Sequence, residues 1–523
     1  MSRVAIVGSG IVGTTLAYLL TAQGHHVHLF EKGPEYPYPH TAQFEAHINR
    51  HFVRRDLPMD GKLRAVPQTG NIRMGTDFER FMQVGGKATR WEAITLRLNP
   101  SDFETRARFG RDGDWALRYD DLETYYHDAE RLLGVSGTDD DNPFAPPRSA
   151  PYPLPPFELS YEDKQLAAQL AEAGIHIHTT PQARTRLAYE DRPGCVNFGV
   201  CGFCPIGARY SPGYHLQKAL ATGLCTLETN ISVRRVIVDE SGRARALLVQ
   251  GNTVAAPREH PADLIILAPG AIEAARLLLL SANDRYRDGL GNGGGHVGQH
   301  LGYHHIHTGT LVFDRPVYPG QVGFWTGQSQ QFVDHAARDV RGGVKIEFSA
   351  QAPYQPVAPV IPSTLEDVPS ASRDFLHRRY VYFHAESDTT PEKVMRLSTE
   401  QADIFGDPFP HVHYQTSPFD EATYAFKQEL LTRFADALAV ESAVLSPFEH
   451  WVSGHHHLGT CRMSADVSGG VVDRYGKVHE MDGLYVVGGS SFASTGANNP
   501  TLTIVALALQ TAAYLLEQEL DTV

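Results

Sequence analysis

Apolar residues along this chain follow two different periods. Val4-Ala5-Ile6-Val7, Val27-His28-Leu29-Phe30 and Leu264-Ile265-Ile266-Leu267-Ala268 are short apolar-rich runs, which predict strands buried in a parallel sheet. Behind the first, Leu16, Leu19 and Leu20 recur at helical spacing to about Gln23, and Gly24 closes that helix. Behind the third come Pro269-Gly270-Ala271 and a helix from Ile272 to Leu280. A further strand, Leu484-Tyr485-Val486-Val487, runs into Gly488-Gly489-Ser490-Ser491, and Ile231 to Asp239 with Ala244 to Gln250 reads as a hairpin turning at Ser241-Gly242. From about Gly302 to Phe448 the character changes. Prolines and aromatics are frequent there, and runs such as Val344-Lys345-Ile346-Glu347-Phe348 and Tyr380-Val381-Tyr382-Phe383 predict antiparallel strands, before helical spacing returns from Glu421 to Ala439. Thr501 to Leu516 is too short to span a bilayer and is broken by Gln510 and three threonines, so it reads as a buried helix. Asn499 suits its N-cap and Pro500 its first helical position. The pattern predicts an α/β protein in which both ends of the chain build a parallel-sheet domain, with an α+β domain carrying an antiparallel sheet inserted between them.

Composition narrows the class. The 523 residues are 42% hydrophobic, enough for a large core, and their length suggests two or more structural units. Lys and Arg number 46 against 60 Asp and Glu, a net charge of −14, which disfavours nucleic acid and anionic membrane surfaces as partners. Five cysteines do not make a disulfide scaffold, and the opening MSRVAIVGSG lacks a secretory signal, so a soluble cytoplasmic protein is expected. The 26 histidines are in excess for this length and partly clustered.

Chemistry is most legible at the N-terminus. Gly8-Ser9-Gly10-Ile11-Val12-Gly13 fits G-x-G-x-x-G where the first strand meets the first helix, and Glu31 ends the second strand. Gly8 permits the tight turn, Gly10 lets the backbone approach a pyrophosphate, and Gly13 allows close packing of helix on strand. The pyrophosphate then sits on free N–H groups at a helix N-terminus, and Glu31 accepts hydrogen bonds from the adenosine ribose. The motif serves NAD and FAD alike. Its place at the start of a long chain favours FAD, and an acid at position 31 disfavours the 2′-phosphate of NADP. Gly85-Gly86-Lys87-Ala88-Thr89-Arg90-Trp91 reads as a turn or as backbone passing close to a flat cofactor. Asp139 to Pro156, rich in proline, reads as a surface loop or linker.

Two clusters invite a metal reading. His455-His456-His457 joins His300, His304, His305 and His307 as potential ligands, but H-E-x-x-H is absent and successive rings on an extended chain point apart. Cys195, Cys201 and Cys204 form C-x5-C-x2-C without a fourth ligand at motif spacing, since Cys225 lies well downstream, so buried or loop thiols are preferred to a zinc or iron–sulfur site. His176, His178 and His215 read as surface or satisfied core residues, and no metal is expected.

The paired segments GSGIVG…FEKG and HHLGTCRM…GGVVD…GLYVVGGSSF…NNPTLTIVALALQTA resemble, in order and spacing, the glucose–methanol–choline (GMC) family of FAD-dependent oxidoreductases. The middle of the chain matches only in position, as that family's variable substrate domain. GANNPTLT and GGKATRW are most similar to pyranose oxidases and bacterial glycoside 3-oxidases. The resemblance implies a Rossmann-like FAD-binding domain from 1–100, 190–301 and 449–523, a helical and loop connection over 101–189, and a substrate domain over 302–448. It places a catalytic His in H-x-x-G-T, fitting His456, and a partner before the last-motif Pro, fitting Asn499; the doubled His455-His456-His457 and Asn498-Asn499 leave each open by one residue. Arg90 stands where covalent-flavin pyranose oxidases carry His, so non-covalent FAD is implied. The expected cofactor-binding set is Gly8, Gly10, Ile11, Val12, Gly13, Glu31, Lys32, Gly86, Thr89, Arg90, Val236, Ala268, Gly489, Ser490, Asn499 and Thr501. The implied reaction oxidises a secondary ring hydroxyl of a sugar or glycoside, C-glycosides included, at C3 or C2 to a ketone, with O2 reduced to hydrogen peroxide. Neutral His456 is the general base and Asn499 binds the alkoxide-like oxygen. A dehydrogenase passing electrons to a quinone, an oxidase of a non-sugar alcohol and a flavoprotein carrier are the alternatives, the last disfavoured because His456 and Asn499 are not needed merely to retain FAD. Val317 to Ala358 is the expected mobile substrate loop, with Phe324, Trp325 and Tyr354 either stacking on substrate or anchoring the loop.

Overall fold

The computed structural model describes residues 2–48, 61–71, 80–111, 113–197, 201–253, 256–317, 322–348, 376–449 and 456–520. Its strands, in chain order, are β1 (Arg3–Val7), β2 (His26–Phe30), β3 (Gln68–Gly70), β4 (His178–Thr179), β5 (Cys225–Glu228), β6 (Ile231–Val238), β7 (Ala244–Gly251), β8 (Arg258–Pro261), β9 (Leu264–Leu267), β10 (His305–Val312), β11 (Gly327–Phe332), β12 (Val344–Phe348), β13 (Arg378–Ala385), β14 (Val394–Ala402), β15 (Pro408–Tyr414), β16 (Ser442–Leu445) and β17 (Leu484–Val486). The first sheet has the order β17-β9-β1-β2-β5 and is parallel throughout. Its central strands are covered on both faces, which is why they read as unbroken apolar runs: Ile6, Ile265, Ile266 and Leu267 are fully buried. Helix α1 (Ile11–Ala22) follows β1 and α2 (Ala271–Leu280) follows β9. Because the strands are parallel, their carboxyl ends share one edge, and the loops after β1, β9 and β17 open onto a single crevice there.

The second sheet, β16-β10-β13-β12-β11-β4, is antiparallel. Alternation along β12 and β13 divides its faces. Val344, Ile346, Phe348, Val381, Phe383 and Ala385 form a core with Phe426, Leu430 and Phe434 of helix α3 (Pro418–Leu438). Lys345, Glu347, Tyr382 and His384 stand on the other face. An alternating strand ordinarily shows its polar side to water, yet Lys345 and Glu347 are buried. That face is turned toward the crevice of the first sheet. Two short strands join sheets from a distance in sequence, β4 pairing with β11 and β3 with β15. The hairpin of β6 and β7 forms as expected.

The last helix, α4 (Thr501–Tyr514), corrects one expectation. Its capping residue is Pro500, whose carbonyl accepts from the Ile504 N–H at 2.9 Å, and Asn499 does not cap it because its side chain is held elsewhere. Among the described residues no helix is long and apolar enough to cross a membrane.

Candidate active site

A cavity of about 500 Å³ runs from the ends of β1 and β2 to the polar face of the antiparallel sheet. Its first half is glycine-framed. Gly8 has φ +97°, and a Cβ there would lie 2.7 Å from the Ala268 carbonyl oxygen, so only glycine lets the loops after β1 and β9 meet. A Cβ on Gly13 would come 1.9 Å from the Gly8 carbonyl oxygen, whereas one on Gly10 would meet nothing within 4 Å and would project into open space beside the cavity. No side chain caps α1, α2 or α4, so their N-terminal N–H groups remain available to an anion. Glu31 accepts from the Ser9 N–H at 3.0 Å, the Ser9 hydroxyl at 2.6 Å and the Gly33 N–H at 2.8 Å. Burial pushes its carboxyl up, and these donors oppose that. Burial also pulls Lys32 down to about 8, with Glu273 3.9 Å away. An open glycine, uncapped helix ends and a fixed acceptor at the end of β2 fit the pyrophosphate and ribose of FAD.

Most expected cofactor residues line this cavity: Gly8, Gly10, Ile11, Val12, Glu31, Lys32, Gly86, Arg90, Ala268, Gly489, Asn499 and Thr501. Gly13, Thr89 and Ser490 stand behind the lining. The Thr89 hydroxyl donates to the Gly86 carbonyl at 2.7 Å, and the Ser490 carbonyl accepts from the Cys461 N–H at 2.9 Å. Val236 is misplaced by the sequence reading. It is buried, with its N–H donated to the Ser281 hydroxyl at 2.9 Å, and the cavity is reached instead by Ile231, Ser232, Val233 and Arg234 of the same strand.

At the far end, His456, His457 and Asn499 all line the cavity. The buried His304 ring, pulled down to about 3 by burial, is neutral. Its Nε2 lies 3.2 Å from the Thr495 carbonyl, which only accepts, so Nε2 carries the hydrogen and Nδ1 is an acceptor. His456 Nδ1, 2.9 Å from that atom, therefore donates to it, and the lone pair of His456 is on Nε2. The neighbouring His457 is different: its Nδ1 accepts from Lys87 Nζ at 3.0 Å. Asn499 accepts on Oδ1 from Lys345, which leaves its amide N–H groups as donors. Lys345 also pairs with Glu347, whose other oxygen accepts from His384 Nε2 at 2.9 Å. Burial opposes the Glu347 charge, but His384 and Lys345 beside it hold the carboxyl down at about 2. Asn498 lies outside the cavity lining, donating to the Arg97 carbonyl at 2.9 Å and accepting from Gln330 at 3.2 Å. His455 and Tyr354 lie outside the described residues, as do 318–321 and 349–358 of the expected substrate loop. Phe324 anchors, packing 4.9 Å from Phe157 beneath the Arg184 guanidinium, while Trp325 lines the cavity.

Lys345, Glu347 and His384 were not singled out as a site from the sequence, and His304 was weighed only as a metal ligand. The available signal was the polar alternation inside apolar strands. The remaining histidines serve separate contacts: His305 Nε2 meets the Tyr414 hydroxyl at 2.7 Å, and His307 Nδ1 accepts from Lys427 at 2.9 Å. Cys195, Cys201 and Cys204 are free thiols lining a small pocket with Arg184. Among the described residues no group of three or more His, Cys, Asp or Glu is arranged to hold a metal ion.

Residues 391–508 match the GMC oxidoreductase family and residues 6–37 the NAD(P)-binding Rossmann-like domain. The chain is 27% identical to the fructose dehydrogenase large subunit of Gluconobacter japonicus, over 98% of this chain and 97% of that one. It is 26% identical to a C-glycoside 3-oxidase of Microbacterium trichothecenolyticum, over 98% and 96%, and 28% identical to paromamine 6′-oxidase of Streptomyces fradiae, over 97% and 90%. Among solved structures, pyridoxine 4-oxidase from Mesorbium loti shares the fold with a TM-score of 0.66 at 20% identity, covering 99% of this chain and all of that one. Formate oxidase does so with a TM-score of 0.67 at 17% identity, covering 99% of each. A Rossmann crevice built by the N-terminus, a C-terminal segment that matches the GMC oxidoreductase family and full-length relatives named as oxidases and dehydrogenases make this chain similar to the GMC oxidoreductases.

Proposed function

We propose that this protein oxidises a secondary ring hydroxyl of a sugar or glycoside, at C3 or C2, to a ketone, with O2 reduced to hydrogen peroxide. The observation that carries the reading is one cavity in which the glycine-framed FAD crevice ends on His456 and Asn499. Relatives named for fructose, C-glycosides and paromamine support a carbohydrate substrate. Residues 1–100, 190–301 and 449–523 supply the cofactor side and 302–448 the substrate side. FAD is held non-covalently by the glycine loops and Glu31, with Arg90 in the lining.

Bound FAD supplies the acceptor for the hydrogen leaving carbon as hydride. The protein supplies the proton chemistry. His456 Nε2 takes the hydroxyl proton, its Nδ1–H anchored on His304, and the general base is ready because His304 has no second hydrogen to offer it. The Asn499 N–H groups donate to the oxygen as it gains negative charge, and Lys345 behind them keeps the amide from turning. His456 is favoured over His457 because the His457 Nδ1 lone pair is taken by Lys87. A second reading, a dehydrogenase passing electrons to a quinone, is supported by relatives named dehydrogenases, including 2-methyl-1,2-propanediol dehydrogenase of Mycolicibacterium austroafricanum, 26% identical over 99% of this chain and 96% of that one.

The test is anaerobic titration of the yellow protein with free sugars, O-glycosides and C-glycosides, followed by assay of peroxide in air and of a quinone acceptor. A neutral sugar should bleach the flavin and leave a keto-sugar. His456→Ala and Asn499→Ala should stay yellow yet bleach roughly 10²–10⁴-fold more slowly. Normal bleaching in both variants removes the assignment, and turnover of simple alcohols alone moves the protein to a non-sugar substrate.

A further inference from the structure

Glu31 marks the end of the cavity where the adenosine half of FAD is expected, and two runs of contacts lead from it to a wall not yet given a role. The Glu31 carbonyl accepts from the Ile231 N–H at 3.0 Å, where β6 begins, and Arg234 of that strand lines the cavity. Lys32 lies 3.9 Å from Glu273 of α2, and Arg276, one turn on, lines the cavity too. Both arginines are taken by the turn between β14 and β15. The Arg234 guanidinium holds Asp407 through two bonds, from Nε at 2.7 Å and from a terminal N–H at 3.0 Å, and Arg235 adds another at 2.8 Å. Arg276 donates to Asp403 Oδ2 and to the Pro408 carbonyl, each at 2.8 Å. Between the two acids in sequence stands Phe405, half-buried, and Asp403, Phe405 and Asp407 all line the cavity.

This turn is built to move as a unit. Asp403 Oδ1 accepts from the N–H groups of Phe405 at 2.9 Å and Asp407 at 3.0 Å, so the turn holds its own shape while the other oxygen reaches out to Arg276. Behind it the hairpin ladder is interrupted. Pairing runs from Val394 opposite His413 to Leu397 opposite Pro410, then shifts to Ala402 opposite Pro408, and residues 399–402 are exposed. Ile404 at the tip is exposed as well, and its N–H donates to the Lys62 carbonyl at 3.3 Å. A self-bonded tip beyond a break in the ladder, tied to β6 and α2 by ion pairs, can lift without undoing the hairpin.

We propose that this turn is the latch of the cofactor site: Phe405 gives the adenine ring of FAD an aromatic face, and the ion pairs of Asp403 and Asp407 close the turn over it, so that FAD enters and leaves when they open. One turn of the 302–448 segment then serves the cofactor instead of the substrate. The inference rests on the proposed non-covalent FAD in the crevice.

The experiment follows FAD leaving the holoenzyme, by its fluorescence on dilution, and re-entering the flavin-stripped full chain. It compares wild type with Asp403→Asn, Asp407→Asn and Phe405→Ala, and thermal midpoints of the FAD-saturated variants report that each is folded. A latch slows both directions, so each Asn variant should speed release and re-entry alike, by about tenfold. Raising salt from about 0.05 M to about 1 M should speed wild-type release several-fold, because the opened charges are screened, and should act less on the Asn variants. Phe405→Ala should speed release about tenfold and leave re-entry unchanged, since stacking is lost only once FAD is bound. Unchanged release in both Asn variants, or wild-type release indifferent to salt, overturns the latch and leaves non-covalent FAD standing. Faster release with slower re-entry makes the pairs an ordinary part of the wall and overturns it too, and unchanged release in Phe405→Ala removes the adenine contact. Flavin that stays with the acid-precipitated chain overturns the latch and the non-covalent reading together.

Discussion

Buried without a charge, His304 has one hydrogen to give and gives it to the Thr495 carbonyl. Everything distinctive about His456 follows from that, because a ring facing a fixed acceptor must present its own N–H there and its lone pair elsewhere. His304→Phe keeps the volume and removes the acceptor. It should lower the rate of anaerobic flavin reduction about 10²-fold with little change in KM, and shift the pH profile of that step. A variant that reduces at the wild-type rate would show that His456 is oriented by something else. Asn499 makes the complementary case. Its sequence position beside Pro500 suggested a helix cap, yet its Oδ1 accepts from Lys345, which in the proposed mechanism leaves its N–H groups to the substrate oxygen.

Strand β12 shows how an element places chemistry. Its five residues alternate, and the apolar three meet α3, where Phe434 lies 6.0 Å from both Phe348 and Phe383. The polar two are then obliged to face the cavity, as a buried ion pair that has lost its water. Lys345→Met strands the Glu347 carboxylate and should cost about 3–5 kcal/mol, read as a lower urea midpoint. Adding Glu347→Leu should recover most of that stability without recovering flavin reduction, because Asn499 is still unsupported. Recovery of both would make the pair purely structural. The alternation was legible from residue types alone. Which side was wet was not, since a strand's own sequence carries no record of what covers it.

For the molecule as a whole the histidine excess becomes a property of folding. Burial pulls His40, His178, His215 and His304 to about 3 and His300 to about 4, and it lowers His305 and His307 further. In the unfolded chain these rings titrate near 6.5, so below that value the unfolded state binds protons that the native state refuses. Stability therefore falls as pH drops through about 6.5, by roughly 1 kcal/mol per ring at pH 5.5. Glu347 and Glu386, held at about 2, act in a separate window, since their contribution is lost only below the ordinary carboxyl value of 4.5. Thermal midpoints measured from pH 8 to 5 should decline before Glu347 and Glu386 titrate, and a flat profile to pH 5 would contradict the buried-neutral assignment.

Strand, turn and helix at Val4 to Ala22, the hairpin of β6 and β7 and the long helix after Ser417 were all readable in the sequence, because glycine geometry and apolar period act over a few neighbouring residues. The Rossmann crevice was readable for the same reason. What sets His456 apart from His457, and Asn499 from Asn498, in the proposed site was not. It depends on His304, 152 positions away, and on Lys345, 154 positions away, brought in by a different sheet. Local sequence determined which backbones could approach a dinucleotide; only the packing of two sheets across one cavity decided which side chains met there and how their rings and amides are turned.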